Sequence, residues 1–246
     1  MAPPEQDPDP GQGRHEARER TESDVAREWA ESDVARERAM FPLGSPLLPG
    51  AVLPLHIFEP RYRALARRCT SNDEPFGVVM IERGSEVGGG DVRSDVGCLA
   101  SVAQHQELPD GRWVMLATGG PRIRIAEWLP DDPYPRAMTI IWPDEPSEVD
   151  SQTRRATVAR LRRLRALASE IGAMGVTAAE SAAIDDHLAQ LGEATTDATD
   201  WSFQLAALVP AGPFDRYAML SAPDPADRVE VIAGVLDGVE ELLGGR

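Results

Sequence analysis

The sequence predicts an α+β fold, namely a small β-barrel or sandwich with one inserted helix, followed by a C-terminal helical bundle. Three observations lead to this prediction. Residues 40–142 contain short runs of alternating apolar and polar residues separated by turn residues, which is typical of a small barrel or sandwich. A single amphipathic helix interrupts these runs after Glu59-Pro60. Residues 151–246 read as helical throughout, with apolar residues at helical spacing.

The first region contains six segments with the residue pattern of strands: 52–57, 76–82, 96–104, 112–118, 122–129 and 136–142. Turns are predicted between them at Gly88-Gly89-Gly90, Pro109-Asp110-Gly111 and Gly119-Gly120-Pro121. Residues 40–58 carry no formal charge, but their four prolines exclude a membrane-spanning helix. We therefore expect extended chain with turns in that stretch.

The inserted helix is predicted to begin at Pro60, because a proline in the first turn gives up no needed N–H group. Four of its residues fall on one face and are expected to be buried, namely Tyr62, Leu65, Ala66 and Cys69. Residues 143–150 form an acidic linker that contains proline. Beyond the linker, Thr177 and Glu180 have the spacing of a capping box at a helix start.

The charged residues exclude several functions. The chain has 41 acidic and 25 basic residues and a formal net charge of −16, so it repels phosphate backbones and anionic membranes. All of the basic residues are arginine, and the sequence contains no lysine. A Walker-A lysine, a Ser–Lys dyad and a Schiff-base lysine are therefore excluded from this chain.

Residues 1–39 differ from the rest and are predicted to be a disordered acidic tail. They contain 11 acidic residues and a tandem nonapeptide, 22–30 followed by 31–39, with few large apolar side chains. A second interpretation is that Met40 is the true first residue and the segment is upstream sequence. The N-terminus lacks the features of a signal peptide, and two cysteines make no disulfide framework, so we expect a cytoplasmic protein.

Residues 41–62 read Phe41-Pro-Leu-Gly-Ser-Pro-Leu-Leu-Pro-Gly-Ala-Val-Leu-Pro-Leu-His-Ile-Phe-Glu-Pro-Arg-Tyr62. This segment resembles the opening of the Lon protease N-terminal substrate-binding domain. The similarity continues through 76–80, 96–100, 110–112, 118–125, 133–134, 201–206, 219–220 and 227–228. It implies a PUA-like barrel (the pseudouridine-synthase-and-archaeosine-transglycosylase type) over 40–142. It also implies a role in gripping unfolded or tagged polypeptide. Because lysine is absent, the chain resembles a stand-alone recognition domain without the ATPase and peptidase modules.

Candidate binding residues come from the same motif and from one later strand. They are Leu55, His56, Ile57, Phe58, Glu59, Arg61, Tyr62 and Trp113. One interpretation has them line a groove for peptide, with Arg61 pairing a carboxylate. The alternative has the polar members fix the strand-to-helix turn, with Glu59 and Arg61 satisfied inside the fold.

The sequence predicts no catalytic residues, no metal site and no cofactor. Asp185-Asp186-His187 are consecutive on a predicted helix, so their side chains diverge instead of converging on an ion. No nucleophile motif surrounds any serine or cysteine. We therefore expect the protein not to be an enzyme.

The predicted function is non-catalytic binding of unfolded or extended polypeptide, as an adaptor or holdase in protein quality control that could serve a separate protease or chaperone. The alternative is an RNA-binding barrel that uses the arginine-rich helix of residues 154–165. That helix contains Arg154, Arg155, Arg160, Arg162, Arg163 and Arg165. The acidic balance of residues 143–246, 18 acids against 9 arginines, disfavours nucleic acid as a partner. No membrane partner is expected.

Overall fold

The structure is a computed structural model that describes residues 34–84, 91–170, 177–194 and 196–244. These residues contain six strands: β1 (Arg36–Leu43), β2 (Val52–Ile57), β3 (Phe76–Arg83), β4 (Val92–Glu107), β5 (Trp113–Leu129) and β6 (Arg136–Ile141). They also contain six helices: α1 (Pro60–Asn72), α2 (Ser151–Glu170), α3 (Ala178–Glu193), α4 (Ala198–Leu208), α5 (Pro213–Ser221) and α6 (Pro225–Gly244). The predicted α+β class with a helical C-terminal region is confirmed. The tandem nonapeptide up to residue 33 and the predicted turn at 88–90 lie outside the described residues.

The strands form one sheet in the order β2-β5-β4-β3-β1-β6, and β6 also pairs with β5. The pairings β5–β4–β3–β1–β6–β5 therefore close on themselves, as a barrel requires. Strand β1 runs parallel to β3, and the other pairs are antiparallel. Strand β2 lies outside this ring, along the first half of β5.

Strand β1 was not predicted from the sequence. Its residues 36–39 pair with 136–139 of β6, and its residues 40–43 pair with 77–80 of β3. The barrel thus begins at Arg36, inside the segment predicted to be tail, and residues 40–43, expected to be extended chain, form the second half of β1. The first half of β1 reads Arg-Glu-Arg and gives no apolar alternation. Main-chain pairing to β6 holds it, together with the ion pair between Glu37 and Arg136 at 3.0 Å.

Strand β5 replaces two predicted strands, so the turn predicted at Gly119-Gly120-Pro121 is wrong. Gly119 exchanges hydrogen bonds with the loop before β2. Its N–H donates to the oxygen of Ala51 at 2.9 Å, and its own oxygen accepts from the N–H of Gly50 at 2.9 Å. A Cβ atom at Gly119 would lie 2.3 Å from the oxygen of Leu48. The glycine is needed for this close approach of two chain segments.

Three hydrophobic cores are built on this frame, and the predicted apolar face of α1 is confirmed. The four predicted apolar residues of α1 are all buried against the strands. A second core joins the helices, including Leu161, Trp201 and Leu236, to Leu48 and Val96 of the β region. The capping box at the start of α3 is also present as predicted.

A buried cluster of charged residues links β5 to the helices; we call it the Arg122–Asp144–Arg228 cluster. Arg122 donates to the backbone oxygens of Leu220 at 2.7 Å and Ala222 at 2.6 Å, and it pairs with Asp144. Arg228 donates to both carboxylate oxygens of Asp144, at 2.8 and 2.7 Å. Burial lowers the pKa of Arg122 to about 10. Asp144 falls in the predicted linker, so this part of the connection is buried.

Candidate functional site

A groove opens between the end of β1, strand β2 and the start of α1; we call it the β2 groove. Its volume is about 230 Å³. It is lined by Phe41, Pro42, Leu43, Pro54, Leu55, His56, Ile57, Phe58, Glu59 and Tyr62. A small cavity of about 30 Å³ adjoins it and shares His56, Ile57 and Phe58 with it. The smaller cavity is completed by Leu108, Arg112 and Trp113.

The alternation of β2 decides which side chains reach this surface. Leu55 and Ile57 are buried in the core that includes the apolar face of α1, whereas His56 between them is exposed. Phe58 follows the strand and leaves 58% of its area exposed, which is unusual for a phenylalanine next to a core. Pro60 then begins α1 and turns the chain away from the groove.

Two stacked aromatic rings form one wall of the groove. The rings of Phe41 and Tyr62 lie 4.2 Å apart between centroids and are inclined by 19°. The guanidinium of Arg61 lies 4.5 Å from the centre of the Tyr62 ring. Burial raises the pKa of Tyr62 to about 12, so the phenol stays neutral at physiological pH. This wall is therefore apolar and uncharged.

Glu59 and Arg61 satisfy each other. Arg61 Nε donates to Glu59 Oε2 at 3.0 Å, and both side chains are largely buried. This pairing is the one expected if the two residues fix the strand-to-helix turn. It also means that the carboxylate lining the β2 groove is neutralised within the protein. Arg61 does not line the groove itself, but it contacts two lining residues, Glu59 and Tyr62.

Trp113 is buried at the start of β5, opposite Ile57 of β2. Its indole N–H is buried and donates to no atom among the described residues. Its ring centroid lies 5.7 Å from that of His105 on the neighbouring strand β4. Trp113 therefore borders the smaller cavity and not the β2 groove itself.

The structure thus gathers the predicted site residues around one surface. Six of them line the β2 groove, Trp113 lines the adjoining cavity, and Arg61 holds Glu59. Their role in binding stays a prediction. Sequence reasoning missed Phe41, Pro42 and Leu43, because β1 was not recognised as a strand. The signal was available, since these three residues open the same motif as the others.

Four arginines of α2 contact other parts of the fold. Arg160 and Arg163 each donate to Glu240 of α6 at 2.9 Å. Arg154 donates to the backbone oxygen of Thr196 at 2.8 Å. Arg165 lies 3.9 Å from Asp185 of α3. These contacts pair part of the basic charge of the helix with acidic residues, and nothing in them favours an RNA partner.

The described ranges contain neither a cluster of metal-ligating side chains nor a membrane-spanning helix. Among those residues, no group of three or more His, Cys, Asp or Glu side chains is placed to hold a metal ion. No helix in the part of the chain that the structure describes is long and apolar enough to cross a membrane. Cys69 and Cys98 are both buried free thiols.

The chain is similar to known proteins in both sequence and fold. A family model described as the ATP-dependent protease La (LON) substrate-binding domain matches residues 37–238. The chain therefore belongs to this family of substrate-binding domains, and the resemblance noted from the sequence is confirmed. A role in substrate binding follows from this family membership.

Individual relatives agree with the family. Lon protease 2 of Herpetosiphon aurantiacus is 30% identical over 110 residues, which is 44% of this chain and 13% of that protein. This chain thus matches only a small part of that curated relative. A Lon N-terminal domain protein from Xanthomonas campestris has the same fold, with a TM-score of 0.59 and 24% identity over 81% of this chain and 98% of that one. The N-terminal domain of the Mycobacterium avium complex Lon protease also has this fold, with a TM-score of 0.54. Its sequence is 16% identical, and the match covers 82% of this chain and 98% of that one.

Proposed function

We propose that this protein binds unfolded or extended polypeptide in the β2 groove without catalysing a reaction. The family is named for substrate binding, and the predicted residues surround one open, mostly apolar groove. That arrangement is the observation on which the proposal depends. Segments that a folded protein buries are apolar, so they gain most from such a surface.

Exposed apolar side chains on β2, next to it and on its partner strand support the proposal. Val52, the first residue of β2, is 60% exposed, and Phe58, which follows the strand and lines the groove, is 58% exposed. Val114 of β5 lies opposite His56 and is also exposed. Exposed apolar residues that cluster, in contrast to scattered ones, are typical of interaction surfaces.

The proposed role is that of an adaptor or holdase in the cytoplasm. The absence of lysine removes the ATPase lysine and the Ser–Lys dyad from this chain, so we propose neither ATP hydrolysis nor proteolysis for it. A bound client would then be passed to a separate protease or chaperone. The buried free thiols of Cys69 and Cys98 fit a reducing compartment.

The test compares two exposed phenylalanines. Fluorescence anisotropy would measure the dissociation constant of the full chain for reduced, carboxamidomethylated α-lactalbumin, which is permanently unfolded. We expect Phe58→Ser to weaken binding by about tenfold, because a large apolar contact is lost. Phe214→Ser is the matched control, since Phe214 is 67% exposed at the start of α5 and lies outside the groove.

Two outcomes would contradict the proposal. One is that the unmutated chain does not bind the unfolded protein. The other is that Phe58→Ser and Phe214→Ser weaken binding equally, which would place the contact elsewhere. Native, disulfide-bonded α-lactalbumin serves as the folded competitor, and we expect it not to displace the unfolded form.

A further inference from the structure

We propose that polypeptide in the β2 groove adds a strand to the open edge of β2, so that main-chain hydrogen bonds carry much of the binding. This inference rests on the proposed function and concerns how the same site recognises its ligand. The ligand class is then any extended segment with free backbone amides and small or apolar side chains. The sequence of the ligand affects binding only through the side chains that must fit the groove.

Strand β2 pairs with another strand on one side only, as far as the described residues show. All six of its residues pair with β5, from Val52 opposite Thr118 to Ile57 opposite Trp113. Among the described residues, no strand pairs with its other side. Alternate residues of an antiparallel strand direct their backbone groups to opposite sides, so half of these groups face away from β5. The β2 groove lies along this stretch of β2.

Pro54 indicates which residues face the open side. A proline has no N–H to give, so within a sheet its nitrogen belongs on the side without a partner strand. Because Pro54 pairs opposite Leu116 without breaking the register, its backbone faces the open edge. Val52 and His56, two positions away on each side, face the same way. This edge therefore offers three carbonyl oxygens but only two N–H groups, and it favours a ligand that donates.

The far side of the groove is also a strand, and within the described part of the chain no strand pairs with its outer side over residues 41–43. Residues 40–43 of β1 pair with β3, whereas β6 pairs with β1 only over residues 36–39. Phe41, Pro42 and Leu43 therefore border the groove opposite β2. Pro42 again lacks an N–H, which leaves β1 a poor donor along this side. The groove is bounded by strands on both sides, with β2 the longer open edge.

The charges of the groove argue for a neutral occupant. Glu59 is the only acidic residue in its lining, and Arg61 neutralises it at 3.0 Å. The phenol of Tyr62 is neutral as well. A polypeptide backbone is neutral and carries an amide donor at every non-proline residue, which matches the acceptor-rich edge of β2. An acidic or basic ligand would find no opposite charge among the lining residues of this edge.

The test uses backbone methylation, which removes an amide donor and keeps every side chain. The probe is a neutral peptide of about eight residues in which apolar residues alternate with serine. Two further versions carry N-methyl groups on the odd or on the even amides. Isothermal titration calorimetry with the full chain would give three dissociation constants. We expect one methylated version to bind about tenfold more weakly than the parent peptide and the other to bind within about threefold of it.

A variant of the protein tests the main-chain hydrogen bonds from the side of β2 instead of the peptide. His56→Pro removes the N–H that faces the ligand, and it keeps the pairing with β5 because the nitrogen points away from that strand. His56→Ala removes only the imidazole. We expect the proline variant to bind the parent peptide about fivefold more weakly than the alanine variant. Far-UV circular dichroism establishes that both variants fold.

The outcomes separate this inference from the proposed function. If all three peptides bind equally, or if both methylations weaken binding equally, strand addition is wrong while polypeptide binding stands. If neither the parent peptide nor unfolded α-lactalbumin binds, both proposals fail. If the free chain forms a dimer that His56→Pro abolishes, the open edge belongs to a second copy of the chain, and strand addition by a client is overturned.

Discussion

Asp144 lies between the guanidinium groups of Arg122 and Arg228, and all three side chains are at most 4% exposed. Removing three charged groups from water is costly, and only close pairing and further hydrogen bonds offset the cost. The cluster holds two positive charges and one negative charge. Other N–H groups of the two guanidiniums donate to carbonyl oxygens, including that of Met219. The guanidinium of Arg228 also lies 3.5 Å from the centre of the Phe203 ring. The carboxylate is thus the group whose loss leaves the most uncompensated charge.

We predict that Asp144→Asn lowers the free energy of unfolding by about 3–5 kcal/mol, because two buried guanidinium groups lose their counter-ion. Urea unfolding followed by far-UV circular dichroism measures the change. The control is Asp237→Asn, which removes the 67% exposed partner of Arg160. Surface ion pairs contribute little, so the control should cost less than about 1 kcal/mol. Equal costs for the two variants would show that the cluster does not stabilise the fold as argued.

At the scale of elements, the sequence predicted what depends on local periodicity and missed what depends on distant partners. Helix α1 was predictable, because a proline start and one apolar face are visible in thirteen consecutive residues. Strand β1 was not, since its first half is charged and is held by β6 almost a hundred residues later. The candidate site shows the same division. The β2 side was predicted from the motif of residues 41–62, whereas the β1 side opens the same motif but is a strand because it pairs with β3.

Strand β5 is a second case in which an element could not be read locally. Two glycines and a proline have turn chemistry, yet the chain runs through them as one strand. The reason lies in the loop of residues 44–51, whose backbone packs against Gly119. Only a residue without a side chain permits that approach, and nothing near position 119 in the sequence reveals it.

The same glycine gives a prediction with a built-in control. We expect Gly119→Ala to lower the free energy of unfolding by about 1–3 kcal/mol, because the added methyl group meets the backbone oxygen of Leu48. Gly234→Ala should raise it by about 0.5–1 kcal/mol, since Gly234 lies inside helix α6 with open space around it. Thermal and urea unfolding measure both. A neutral or stabilising Gly119→Ala would contradict the close packing assigned to this loop.

At the scale of the whole molecule, the β region and the helices are parts of one compact unit that spans residues 32–246. The sequence predicted a barrel over 40–142 and a helical subdomain over 151–246 with a linker between them. Two kinds of contact join these parts. Leu48 and Val96 pack in the helical core, and Arg122 of β5 bonds to backbone oxygens at the end of α5.

This joining leads to a prediction about unfolding of the full chain. We expect differential scanning calorimetry to show one transition whose calorimetric enthalpy equals its van't Hoff enthalpy, because neither part can unfold without exposing the shared core and the charged cluster. Tryptophan fluorescence provides the second probe, since Trp113 lies in the β core and Trp201 in the helical core. Two single-tryptophan variants, which keep only Trp113 or only Trp201 and replace the other four tryptophans by phenylalanine, report the two regions separately. Their transitions should coincide once each curve is referred to the midpoint of its own variant in calorimetry. Two resolved transitions, or fluorescence midpoints that differ from the calorimetric ones, would mean that the regions fold independently and that the buried cluster holds together two units instead of completing one.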